Sequence, residues 1–102
     1  MIRRGTTPTH TFTVDVDLTQ ATALYITYKQ NDKVVIEKSI EDCTITAETV
    51  TVELSQAESL KFNASSNLPV EIQIRAKFVD GTAIASNIME SDVGRILKGG
   101  EI

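Results

Sequence analysis

The sequence predicts an all-β protein, an antiparallel β-sandwich of immunoglobulin-like kind with about seven strands and one short helical turn. Three observations carry this expectation. Apolar and polar residues alternate with a period of two along most of the chain, polar turn signals such as Asn31-Asp32 and Asp80-Gly81 punctuate the runs, and only one convincing helix start interrupts them. Ordering this many residues costs on the order of 150 kcal/mol at ~1.5 kcal/mol each, so a lone sheet would not suffice and two layers must share a core. A small, partly open barrel is the structural alternative.

Taken in order, residues 1–9 hold Gly5, Pro8 and three threonines, a composition that reads as an extended, poorly packed arm. His10, Phe12, Val14 and Val16 then alternate with Thr11, Thr13, Asp15 and Asp17 as a first strand. Thr19 to Thr22 reads as a connection. Leu24, Ile26 and Tyr28 alternate with Tyr25, Thr27 and Lys29 in a second strand, Asn31-Asp32 offers a short polar turn, and Val34, Val35 and Ile36 resume extended structure. A short strand at Cys43 to Thr46 precedes a clearer one at Thr49 to Leu54, with Val50, Val52 and Leu54 inward.

Ser55-Gln56-Ala57-Glu58 fits a capping box and starts a helical turn or two, with Leu60 and Phe62 placed to plug one end of the core. Val70, Ile72, Ile74, Ala76 and Phe78 alternate with Glu71, Gln73, Arg75 and Lys77 in the clearest strand of all. Asp80-Gly81 should turn it by a two-residue type I′ turn, which needs positive φ at both central positions, and Thr82 to Ile88 should run back. Near the end, Val93, Ile96 and Leu97 lie at i, i+3 and i+4, so a capped last turn and an extended strand are both open. The expected organisation is one domain, 1–102, with an arm at 1–9 and a peripheral tail at 91–102.

Composition narrows the function classes. Ten Lys+Arg against fourteen Asp+Glu leave a net charge of −4, a field that repels phosphate backbones and anionic lipid, so neither nucleic acid nor membrane is an expected partner. Cys43 is the only cysteine, which excludes an intrachain disulfide and a cysteine zinc site and leaves a small core residue. No apolar run approaches the roughly 18 residues that span a bilayer, and the start of the chain lacks the apolar stretch of a secretory signal.

Chemistry is thinly supplied. His10 is the only histidine and reads as an edge or arm residue. Asp15 and Asp17, two residues apart on one strand face, read as solvated side chains before they read as paired acids or a calcium ligand pair. The glycines Gly94, Gly99 and Gly100 lack the lysine and hydroxyl that a phosphate loop requires. The expectation is therefore a non-enzyme with no catalytic, cofactor-binding or metal-ligating residue and no cofactor.

Several segments carry a resemblance: Arg3-Arg4-Gly5-Thr6-Thr7-Pro8-Thr9 leading into a threonine-rich strand, Tyr25-Ile26-Thr27-Tyr28-Lys29-Gln30, Leu54 to Phe62, and Val70 to Arg75 followed by Asp80 to Ser86. On these the chain resembles small structural proteins encoded among the tail and baseplate genes of bacteriophages and prophages, similar in kind to the N-terminal β-sandwich domain of upper baseplate proteins. The resemblance implies a virion structural or assembly protein that packs against other virion subunits and against itself as a homo-oligomer, present in the bacterial host cytoplasm during assembly and then in the virion. No receptor-binding or coiled-coil region follows, so it does not extend to host recognition.

Within that reading the candidate subunit contacts are Arg3, Arg4, Val93, Ile96 and Leu97, at the two ends. Removing residues 1–9 or 91–102 should weaken assembly more than it lowers the melting temperature. The alternative class is an adhesion or carbohydrate-binding sandwich using loops at Thr19 to Thr22 and Asn63 to Leu68.

Overall fold

In a computed structural model, which describes residues 1–64 and 67–102, two antiparallel sheets pack face to face and a small parallel pair closes one end. The larger sheet has the order β4-β3-β7-β8, formed by β3 (Ala21–Gln30), β4 (Lys33–Ser39), β7 (Val70–Phe78) and β8 (Ala83–Ala85), with β9 (Met89–Ser91) also on β7. The smaller has the order β2-β6-β5, from β2 (Thr9–Thr13), β5 (Cys43–Ile45) and β6 (Thr49–Glu53). The remaining pair is β1 (Ile2–Arg3) with β10 (Val93–Gly94). The all-β sandwich is thus the observed fold.

Alternation decides which side chains meet. Leu24, Ile26 and Tyr28 of β3 and Val70, Ile72, Ile74 and Ala76 of β7 face Val50 and Val52 of β6, all buried. Their neighbours in sequence, Thr27, Arg75 and Lys77 among them, stand on the outer face. The outer face of the smaller sheet is threonine-rich, with Thr11 and Thr51 directly opposite and their hydroxyls 3.1 Å apart.

The crossings between sheets carry their own caps. Asp17 accepts hydrogen bonds from the backbone N–H and hydroxyl of Thr19, which opens a 3₁₀ turn at Leu18–Gln20 and seats Leu18 in the core. The first strand consequently ends at Thr13, earlier than alternation suggests, and Asp15 and Asp17 do not share a strand face. A second 3₁₀ turn, Ile40–Asp42, carries the chain from β4 to β5. The expected capping box is present at α1 (Gln56–Ser59): Ser55 Oγ accepts from the Glu58 N–H, and Glu58 accepts from the Ser55 N–H. Phe62 follows, 1% exposed, and plugs that end of the core as expected.

The turns are the reverse of expectation in type. Among the described residues the non-glycines with left-handed backbone are Asn31 (φ 53°) and Asp32 (φ 60°), so the two-residue primed turn joins β3 to β4. At the other hairpin only Gly81 (φ 90°) is left-handed, the Gly81 N–H bonds the Phe78 carbonyl and the Phe78 N–H bonds the Thr82 carbonyl, giving a three-residue loop. Asp80 is not left-handed there, and its carboxylate accepts from the Thr82 N–H.

The return strand is also broken. Between the Arg75/Ala85 and Ile72/Met89 pairs β7 advances three residues and its partner four, so Ser86–Ile88 form a bulge. Ser86 holds it: its hydroxyl accepts from the Ile74 N–H and donates to the Asn87 carbonyl.

The largest departure concerns the ends. Residues 1–9 are not a poorly packed arm and 91–102 are not wholly peripheral, because they pair with each other. Ile2 is 1% exposed within the core, its N–H bonds the Asp92 carbonyl at 2.8 Å, and the Arg4 N–H bonds the Gly94 carbonyl at 3.1 Å. Arg4 reaches the Leu60 carbonyl at the end of α1 and the Ser59 hydroxyl donates to the Thr6 carbonyl. The final segment is extended at β10, not helical.

Candidate functional site

Among the described residues Lys29 and Asp32 pair on the exposed β3–β4 turn at 3.4 Å, and a second set of titratable groups meets inside the fold. Tyr28, fully buried on β3, meets the His10 ring across the sandwich with its hydroxyl 2.7 Å from Nδ1. Cys43 sits on the same inner layer, donating its thiol to the Ser39 carbonyl. Lys38 pairs with Glu58 at 2.7 Å, both mostly covered. Burial pushes the Tyr28 phenol far above its ordinary range, with Cys43 and Glu58 adding to it, and burial also raises the Cys43 thiol. A phenol and a thiol held neutral are poor bases and nucleophiles, so this cluster joins the two sheets.

The same cluster makes stability pH-dependent. Burial lowers the His10 pKa below its ordinary 6.5, so the unfolded chain takes up a proton first and stability is lost as the pH falls through and below that value. For Glu58, burial would raise the pKa, but the hydrogen bonds from Lys38 and Ser55 outweigh it and hold the group low, so its contribution is lost below 4.5. Melting temperature should therefore fall with acidification in two stages, and His10→Gln should remove the upper one. Identical pH profiles for the parent and His10→Gln would refute this account.

The candidate contact residues lie together at one end. Arg3 is exposed and donates to the Arg95 carbonyl, and Arg4 is engaged with α1. Val93 packs on the core. Ile96 covers Gly5, where an added methyl would come 2.9 Å from Ile96 Cδ1. Leu97 alone of the five projects freely, 95% exposed. The loops considered for a sugar site separate instead: Leu18–Gln20 neighbours Phe78 and Val79, whereas Asn63 and Leu68 are held by the buried Gln30 side chain beside Val70 at the other end of β3. Ser65 and Ser66 of the second loop lie outside the described residues.

A feature with no local signal in the sequence is the open side of the sandwich. There the edge strand β2 and the edge formed by β8 and β9 face each other without pairing, leaving a groove of about 680 Å³ walled by Val14, Val16, Leu18, Ile74, Ile84 and Met89. Both edges carry unused backbone groups. Val14 and Glu48 form a hydrogen-bonded pair, so by antiparallel alternation Thr9, Thr11 and Thr13 turn their N–H and C=O away from β6. Ser86 bonds Ile74 and Phe78 bonds Thr82, which turns Ala83 and Ala85 outward likewise. Asp15 stands at the groove and Asp17 and Glu48 at the adjoining depression, all exposed.

The fold and this surface define a class: an all-β sandwich with an open apolar side between two strand edges. Comparison with protein-family models, with curated protein sequences and with solved structures returns no match. No helix among the described residues is long and apolar enough to cross a membrane.

Proposed function

We propose that this chain is a non-enzymatic structural module of a phage tail or baseplate region that works by packing against other virion subunits. One observation supports contact as its mode of action: the open side presents an apolar groove flanked by strand edges whose outward N–H and C=O groups have no partner strand among the described residues. Such an edge accepts an extended segment through main-chain hydrogen bonds, with alternate side chains setting register. The phage context rests on the sequence resemblance alone. The test is to purify phage particles from an induced host and identify their components by mass spectrometry, together with the position of the coding sequence. The expected result is the chain as a fixed-ratio particle component, encoded beside tail and baseplate genes. Its absence from particles, or a place in a metabolic operon, would overturn the proposal.

A further inference from the structure

We infer that copies of this chain associate head to tail, with the Arg95–Lys98 loop of one copy seating Leu97 in the open-side groove of the next; this rests on the contact-module reading above and names its partner and surfaces. Three observations converge. Leu97 is 95% exposed while its neighbour Ile96 is folded back over Gly5, so the loop presents a single aliphatic knob outward. The segment from Arg95 to Ile102 is tied down at its two ends, by the Arg3 guanidinium on the Arg95 carbonyl at 2.8 Å and by the Gln56 amide, which bonds both the N–H and the carbonyl of Ile102. These ties reduce the conformational freedom lost on docking.

The charges are complementary. Arg95 and Lys98 flank the knob, whereas the groove and the depression beside it carry Asp15, Asp17 and Glu48, with no lysine or arginine in either lining. An apolar knob between two cations matches an apolar groove with an acidic end, and the attraction should be screened by salt.

In its own molecule Leu97 stands 95% exposed and does not occupy the groove. β7 runs from Val70, paired with Ser91 beside the loop, to Phe78 at the far end near Leu18–Gln20, so the knob and the acidic end of the groove lie toward opposite ends of a molecule 47 Å long. Joining unlike surfaces at opposite ends is a heterologous contact, which builds rings or open chains instead of closed two-fold dimers.

Sedimentation equilibrium on the full chain tests this. The parent should show mass rising with concentration and falling with added salt. Leu97→Asp removes the knob and the double variant Asp15→Arg/Val16→Arg blocks the groove; all three positions are exposed, so both variants should fold. Each alone should associate at least roughly tenfold more weakly. Mixed together they should form a one-to-one dimer, because each retains the surface the other lacks. A monomeric parent, variants that associate as the parent does, or a mixture that stays monomeric would each overturn the inference. A monomeric parent that is nonetheless a particle component would sink head-to-tail association and leave the contact-module reading standing. Intact self-association in a chain absent from particles would do the opposite.

Discussion

Phe62→Ala should lower the stability of the fold by about 4 kcal/mol, from lost transfer energy together with the cavity left behind. Phe62 is 1% exposed and sits where the chain, having left β6 through α1, closes the end of the core. Its ring centroid lies 6.0 Å from that of Tyr28, which lies 5.7 Å from His10, which in turn is 6.2 Å from Phe12. These four rings run from one sheet into the other. Removing the Phe62 ring leaves Tyr28 facing a void below the short capped helix.

A domain of this size holds roughly 5–15 kcal/mol in total, so the loss should appear as a fall of roughly 15–30 °C in melting temperature. Phe62→Leu should recover more than half of it, since most of the volume returns. Denaturation in urea gives the measurement. A loss below about 1 kcal/mol for the alanine variant would show that the plug does not carry the end of the core.

How much of this was legible in the sequence follows from what is local. The long strands β3 and β7 are written in their own alternation, and the capping box at Ser55 and Glu58 needs only four residues, so both appear where composition and spacing place them. Turn type was less legible. Asp-Gly and Asn-Asp both tolerate left-handed backbone, and the choice fell to a local hydrogen bond, Asp80 to Thr82, and to the register across Gln30 and Lys33.

The groove and the closed ends were not legible at all, because each depends on residues far apart in the chain. Nothing near Val14 announces that it will face Ile84, and a two-residue strand such as Ile2–Arg3 shows no period. Gln30 is similar. On the sequence it is one more polar residue at a strand end, yet its buried amide donates to the Asn63 and Leu68 carbonyls and accepts from the Asn63 N–H. A groove assembled by strand order is therefore invisible to motif reading.

Ile2→Ala should cost about 3 kcal/mol, although the composition of residues 1–9 suggests a dispensable arm. The side chain is 1% exposed and belongs to the main core, and its backbone forms one rung of the parallel pairing with Val93. Truncation leaves a cavity under β10, where Val93 packs on the same core. Arg3→Ala, by contrast, removes an exposed side chain bonded to the Arg95 carbonyl and should stay within about 0.5 kcal/mol of the parent.

Deleting residues 1–4 combines the lost isoleucine with the loss of the bonds to Asp92 and Gly94 and the Arg4 contact with α1, so it should lower the melting temperature at least as far as Ile2→Ala does. That ordering inverts the expectation from sequence, in which trimming the end affects assembly more than melting. It also sets a condition on any truncation used to probe subunit contacts: loss of association in such a chain reports on folding unless Leu97→Asp, which touches no core residue, gives the same loss at an unchanged melting temperature. Equal thermal stability of the parent and Ile2→Ala would restore the reading of the first residues as a free arm.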